Sequence, residues 1–135
     1  MEIGRSNVLL SLCELSLQEG FDAHARELAE QALDLATRLD ERPNVAEAHV
    51  WLGLVADKQG DHAGTDREFS IAFAELATLE LDERVLRCHG VYAELLERRG
   101  DMEQAYVHMK KAFAASRPGL LQKDSEESED TASLA

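Results

Sequence analysis

Aromatic side chains are scarce in this 135-residue chain, at 5%, and there is a single tryptophan, Trp51. A core built on large rings is therefore excluded, and the abundant Ala, Leu and Glu suit helices packed closely through small residues. Proline occurs only at Pro43 and Pro118, where the apolar pattern already predicts helix boundaries, so the helices between them are uninterrupted. The two cysteines, Cys13 and Cys88, fall in the first and third of three sequence units. A disulfide would have to skip a unit, so they are expected to be reduced small hydrophobes in a cytosolic protein, not a redox pair or metal site. No apolar run approaches the ~20 residues of a membrane span. The start, Met1-Glu2-Ile3-Gly4-Arg5, lacks the basic, apolar and small-residue regions of a secretory leader. A cytoplasmic chain with no membrane partner is the expectation. Positive charge is also short, with 14 basic residues against 27 acidic ones and a net charge of −13. That field repels a phosphate backbone, so nucleic-acid binding by this chain alone is not expected.

What the chain does have is a period. Gly20, Gly60 and Gly100 stand forty residues apart, within Gln18-Glu19-Gly20-Phe21-Asp22, Lys58-Gln59-Gly60-Asp61-His62 and Arg98-Arg99-Gly100-Asp101-Met102. A fixed period of this length marks a stacked repeat protein, and such arrays usually act as surfaces that hold other molecules. Each unit reads as a helix, a tight turn at the glycine and a second helix. First helices are expected over 7–18, 45–59 and 83–99, with Val8, Leu9, Leu12 and Leu15 as the apolar positions of the first. Second helices are expected over 22–39, 62–78 and 102–116, with Ala32, Ala72 and Ala112 recurring where neighbouring helices approach closely. Glycine adopts positive φ without a Cβ clash and lets the chain reverse. Asp61 and Asp101 are placed to cap the following helix, and Asp22 is expected to do so in the first unit, where Phe21 follows the glycine.

The middle unit, Ala46-Glu47-Ala48-His49-Val50-Trp51-Leu52-Gly53-Leu54-Val55-Ala56-Asp57-Lys58-Gln59-Gly60-Asp61, resembles a tetratricopeptide repeat. Leu52-Gly53 matches that family's Leu-Gly pair, Gly60-Asp61 its turn, Phe69 its second-helix aromatic and Ala72 its close-packing alanine. The third unit is similar through Ala93, Leu96, Gly100-Asp101, Ala105, Met109 and Ala112, and the first through Leu12, Cys13, Gly20, Ala25 and Ala32. Three departures stand out. Thr65 replaces an alanine, His49 and His89 hold the slot that favours tryptophan, and the period is forty instead of thirty-four. The extra residues are expected in longer second helices and in the joins 40–44 and 79–82. Units lengthened in this way resemble repeats attached to bacterial transcriptional regulators and signalling proteins. The resemblance implies an all-α fold, a right-handed α-solenoid of three helix-turn-helix repeats and about six helices. The repeat domain would span 1–119, with units near 5–44, 45–82 and 83–119, followed by a disordered acidic tail over 120–135. That tail is acidic, serine-rich and poor in apolar residues; added phosphate at Ser125 or Ser128 is the regulatory alternative to a plain solvating role.

In the family the concave face is lined by first helices. By position, this implies a partner-binding face of Leu10, Glu14, Val50, Trp51, Leu54, Asp57, Arg87, Glu94 and Arg98. A carboxylate clamp of lysines, arginines and asparagines is not matched, since Leu10, Glu14, Trp51 and Val91 fill those places. An apolar centre flanked by charge suits an amphipathic helix or extended apolar peptide. Trp51 is either the anchor of that face or a core residue.

Catalytic and metal chemistry find little support. His49 and His89 hold equivalent places on successive first helices, about 10 Å apart in a stack, too far for one zinc ion, and are expected to be packed interface residues. Glu94 and Glu97 read as a solvated face, and no phosphate loop, nucleophile elbow or zinc helix is present. No catalytic residue, metal or cofactor is expected. The leading expectation is a non-catalytic module that binds a protein or peptide. The alternative is a homo-oligomer assembling through uncapped ends, because arrays usually finish with a polar capping helix and the last helix here carries Tyr106, Met109 and Phe113. An unrecognised enzyme is the distant third.

Overall fold

Every twenty residues one helix ends and the next begins within a few residues. The computed structural model describes residues 3–80 and 82–116, and within them all regular structure is helical: α1 (Ile3–Gln18), α2 (Asp22–Arg38), α3 (Arg42–Lys58), α4 (His62–Leu79), α5 (Asp82–Arg99) and α6 (Met102–Ser116). The expected tail over 120–135, with Ser125 and Ser128, and Pro118 lie outside the described residues.

The three glycine turns share one hydrogen-bond pattern. Gly20, Gly60 and Gly100 have φ of 86°, 76° and 91°. The Phe21 N–H donates to the Ser16 carbonyl at 2.8 Å and the Gly20 N–H to Leu17 at 3.1 Å; Asp61 and Gly60 do the same to Ala56 and Asp57, and Asp101 and Gly100 to Leu96 and Glu97. These paired bonds satisfy carbonyls left over at a helix C-terminus and require a left-handed residue. Two further turns halfway between have the same conformation on non-glycine residues, Asp40 with φ 54° and Glu80 with φ 53°. At Asp40 the bonds are equivalent, from Glu41 to Ala36 and from Asp40 to Thr37.

The N-terminal caps divide by unit. Asp61 Oδ1 accepts from the Gly64 N–H at 2.9 Å, and Asp101 Oδ1 accepts from the Gln104 N–H at 3.2 Å, as their position after the glycine predicts. Asp22 does not take over in α2. Phe21 itself is the N-cap, without a side-chain bond, and Asp22 lies inside the first turn, where its charge still opposes the positive helix end favourably. The joins are shorter than the sequence suggests. α3 begins at Arg42, with Pro43 in its first turn, where a missing N–H costs nothing. The period's extra residues therefore lengthen first helices as well as second ones.

The described residues divide into two compact units, α1–α4 and α5–α6. In the first, α1 pairs with α2, α3 with α4, and α3 also packs on α2 and α1. Its core joins Cys13 and Leu17 of α1, Ala25, Leu28 and Ala29 of α2, and Leu52 and Val55 of α3. A second cluster links Leu10, Ala32 and Ala48. Gly53 serves the α3–α4 contact, because a Cβ there would lie 2.8 Å from the Phe69 ring. Thr65, fully buried, is satisfied by donating to the Gly53 carbonyl at 3.2 Å or the Asp61 carbonyl at 3.0 Å. The expected apolar face of α1 is corrected in part. Val8, Leu12 and Leu15 are exposed, and Leu10, Cys13 and Leu17 turn inward instead. In the second unit α5 pairs with α6, burying Cys88, Ala93, Leu95, Leu96, Ala105 and Ala112.

Candidate functional site

The residues assigned to a binding face fall in both units. On α1, Asn7, Ser11, Glu14 and Gln18 are exposed and, at spacings of four, three and four, share one helical face. The same positions one period later are Glu47, Trp51, Leu54 and Lys58 on α3, which packs beside α1. Trp51, Leu54, Val50 and Asp57 are partly buried. Trp51 packs against both core clusters and Leu54 against the larger one, so Trp51 is structural on one side and open on the other. Leu10 is a correction. It is 5% exposed and belongs to the cluster with Ala32 and Ala48, because α3 closes over that side of α1. Arg87, Glu94 and Arg98 are exposed on α5 of the second unit, and Val91 is partly buried there.

One polar cluster was not anticipated. Ser6, fully buried on α1, donates to Glu41 Oε1 at 2.9 Å and accepts from Asn44 Nδ2 at 2.9 Å. It ties the first turns of α1 and α3 to the α2–α3 join and satisfies each buried group. No spacing rule reveals it, since the partners are thirty-five and thirty-eight residues away.

The histidines expected at helix interfaces each find a partner inside their own hairpin. His49 Nδ1 lies 2.7 Å from Glu68 Oε2, between α3 and α4. A carboxylate only accepts, so the imidazole carries its proton on Nδ1. Forty residues later, His89 Nδ1 lies 2.9 Å from His108 Nδ1, where one ring must donate and the other accept. The two rings stack at 5.1 Å, and Tyr92 meets His108 edge-on at 4.7 Å. Burial, with His108 and Lys111 adding repulsion, lowers the His89 pKa to about 4. Burial and Lys111 lower that of His108 as well. Both rings are thus held neutral at pH 7.

The thiols are chemically quiet. Burial, together with the Glu14 carboxylate, pushes Cys13 up to about 11. Burial pushes Cys88 up to about 12 against a small opposing effect of Arg87. Neither supplies thiolate near neutral pH, the form that attacks electrophiles or binds metals. Among the described residues no three His, Cys, Asp or Glu side chains gather as a ligand set, and no helix is long and apolar enough to cross a membrane.

Tyr106, Met109 and Phe113 are 66%, 54% and 46% exposed. At spacings of three and four they form one ridge along α6, which Met102 extends. Comparison with known proteins returned no match to a family model, a curated protein or a solved structure.

Proposed function

We propose that this chain is a non-catalytic protein-interaction module, a tetratricopeptide-like array in which paired helices present a binding face to a peptide or to a helix of another protein. The observation that carries the reading is the face shared by α1 and α3. There the half-open Trp51 and Leu54 lie one period from Ser11 and Glu14, so an apolar strip is bordered by polar and acidic groups. A large ring fixed by its own core contacts buries partner surface at little entropic cost. The solenoid continuation through α5 and α6, with Arg87, Glu94 and Arg98 extending the face, belongs to this proposal, as does a role within a bacterial regulator. Two buried free thiols fit a reducing cytoplasm.

The test is selection of helical and extended peptides from a display library, followed by affinity measurement on variants. Leu54→Glu and Glu14→Lys should each weaken the selected peptide about tenfold or more, equivalent to ~1.4 kcal/mol. Lys110→Ala on α6 should leave it unchanged. Peptides that bind equally well to all three variants would overturn the assignment of this face.

A further inference from the structure

The exposed apolar residues of α1 and of α6 are the two halves of a contact that this chain already makes once inside itself. Where α3 packs on α1 and α2, it buries Ala48, Leu52 and Val55. One period earlier these positions are Val8, Leu12 and Leu15, which are 56%, 43% and 54% exposed. On the receiving side, Ala29 is fully buried under α3 and Leu33 packs against both core clusters. Arg26 hydrogen-bonds Gln59 at the end of α3. Two periods later Arg26, Ala29 and Leu33 become Tyr106, Met109 and Phe113, the exposed ridge of α6. Each exposed set thus occupies, by position, one side of an interface whose other side is displayed at the far end of the sequence.

We propose that a second copy of this chain is the occupant: α1 of one molecule seats Val8, Leu12 and Leu15 on the Tyr106–Met109–Phe113 ridge of the next, in the register that α3 takes on α1 and α2. The proposal rests on the repeat-array reading and deepens it by naming a partner for its ends. Contiguous exposed apolar residues are where interfaces form. Charge is complementary locally, because Lys110 and Lys111 beside the ridge approach a copy whose α1 and first turn carry the exposed Glu14 and Glu19, and it works against the mutual repulsion of two chains of net charge −13. The joined surfaces differ, so the contact is heterologous and propagates head to tail into a ring or an open filament. Val8 is larger than Ala48, and Met109 and Phe113 are larger than Ala29 and Leu33. The helices therefore sit further apart than inside the chain, and association builds up with concentration.

The experiment is sedimentation velocity across a concentration series of the full chain, with Leu12→Glu, Met109→Glu and their equimolar mixture. Wild type is expected to pass from monomer to species larger than a dimer. Each variant alone is expected to be monomeric, since each has lost one half of the contact. Mixed, they should form a dimer and stop there, because the intact ridge of Leu12→Glu meets the intact α1 of Met109→Glu and both remaining ends are blocked. Circular dichroism melts check that each variant folds, and Leu15→Lys with Phe113→Glu serves as a second pair if either does not. A wild type that stays monomeric when concentrated overturns the proposal while leaving peptide binding at Trp51 and Leu54 intact. Dissociation by only one of the two substitutions, or a mixture that remains monomeric, overturns it in favour of a symmetric contact or a different protein.

Discussion

The α3–α4 and α5–α6 hairpins share a forty-residue frame, a turn geometry and an aspartate cap, and differ in what equivalent side chains meet. Phe69 is fully buried against Gly53, whereas its counterpart Met109 is 54% exposed. Ala93 stands where α3 has Gly53, and a methyl at Gly53 would lie 2.8 Å from the Phe69 ring. His49 meets a carboxylate, whereas His89 meets a second imidazole. The backbone pattern repeats because turns and caps are local. The side-chain partners diverge because each depends on one residue of the opposite helix.

The largest break in the comparison should come from truncating its two equivalent residues. Phe69→Ala should cost about 3–5 kcal/mol, the usual price of emptying a buried ring site. Met109→Ala in dilute protein should stay within about 0.5 kcal/mol, as an exposed change does. Urea denaturation of both variants decides it; similar losses would mean that the two hairpins bury this position alike.

The histidine pairs differ in a way that pH should reveal. The folded His89 pKa, about 4, lies below its ordinary unfolded value near 6.5. The unfolded chain therefore binds more protons between those values, and the stability held above about pH 6.5 is lost progressively as pH falls toward about 4. His108 is lowered too and acts in the same direction. His108→Glu reproduces the His49–Glu68 pairing and should raise the His89 titration while flattening the acid side of a melting-temperature profile. An unchanged His89 titration by NMR would show that the neighbouring imidazole is not what keeps it neutral.

The smallest effect concerns the turns. Asp40 and Glu80 adopt the left-handed conformation that costs a side-chain-bearing residue about 1–2 kcal/mol. Asp40→Gly and Glu80→Gly should therefore stabilise, by about 0.5–1 kcal/mol once glycine's added unfolded entropy is subtracted. Gly20→Ala and Gly100→Ala should destabilise by a similar amount. Thermal melts of the four variants would sharpen the comparison, and a loss on placing glycine at 40 would mean that the aspartate is fixed by contacts beyond its own turn.

Six helices, three glycine turns and the caps at Asp61 and Asp101 were legible in the sequence, because each is decided by residues within a few positions of one another. The breaks near 40 and 80 were legible, but their left-handed conformation was not, since Asp40 and Glu80 announce none. α1 shows the limit most clearly. Leu10, Cys13 and Leu17 satisfy helical spacing as well as Val8, Leu12 and Leu15 do, so spacing alone cannot choose which set is core. The choice is made by α3, which closes over Leu10 and the cysteine and leaves the other set outside. On the same helix Trp51 is half-buried, packed against both core clusters. The sequence by itself determined where this chain bends and how often, through backbone conformations set locally. Only the tertiary structure decided which apolar face is buried and which imidazole meets which partner, because those outcomes depend on contacts between residues far apart in the chain.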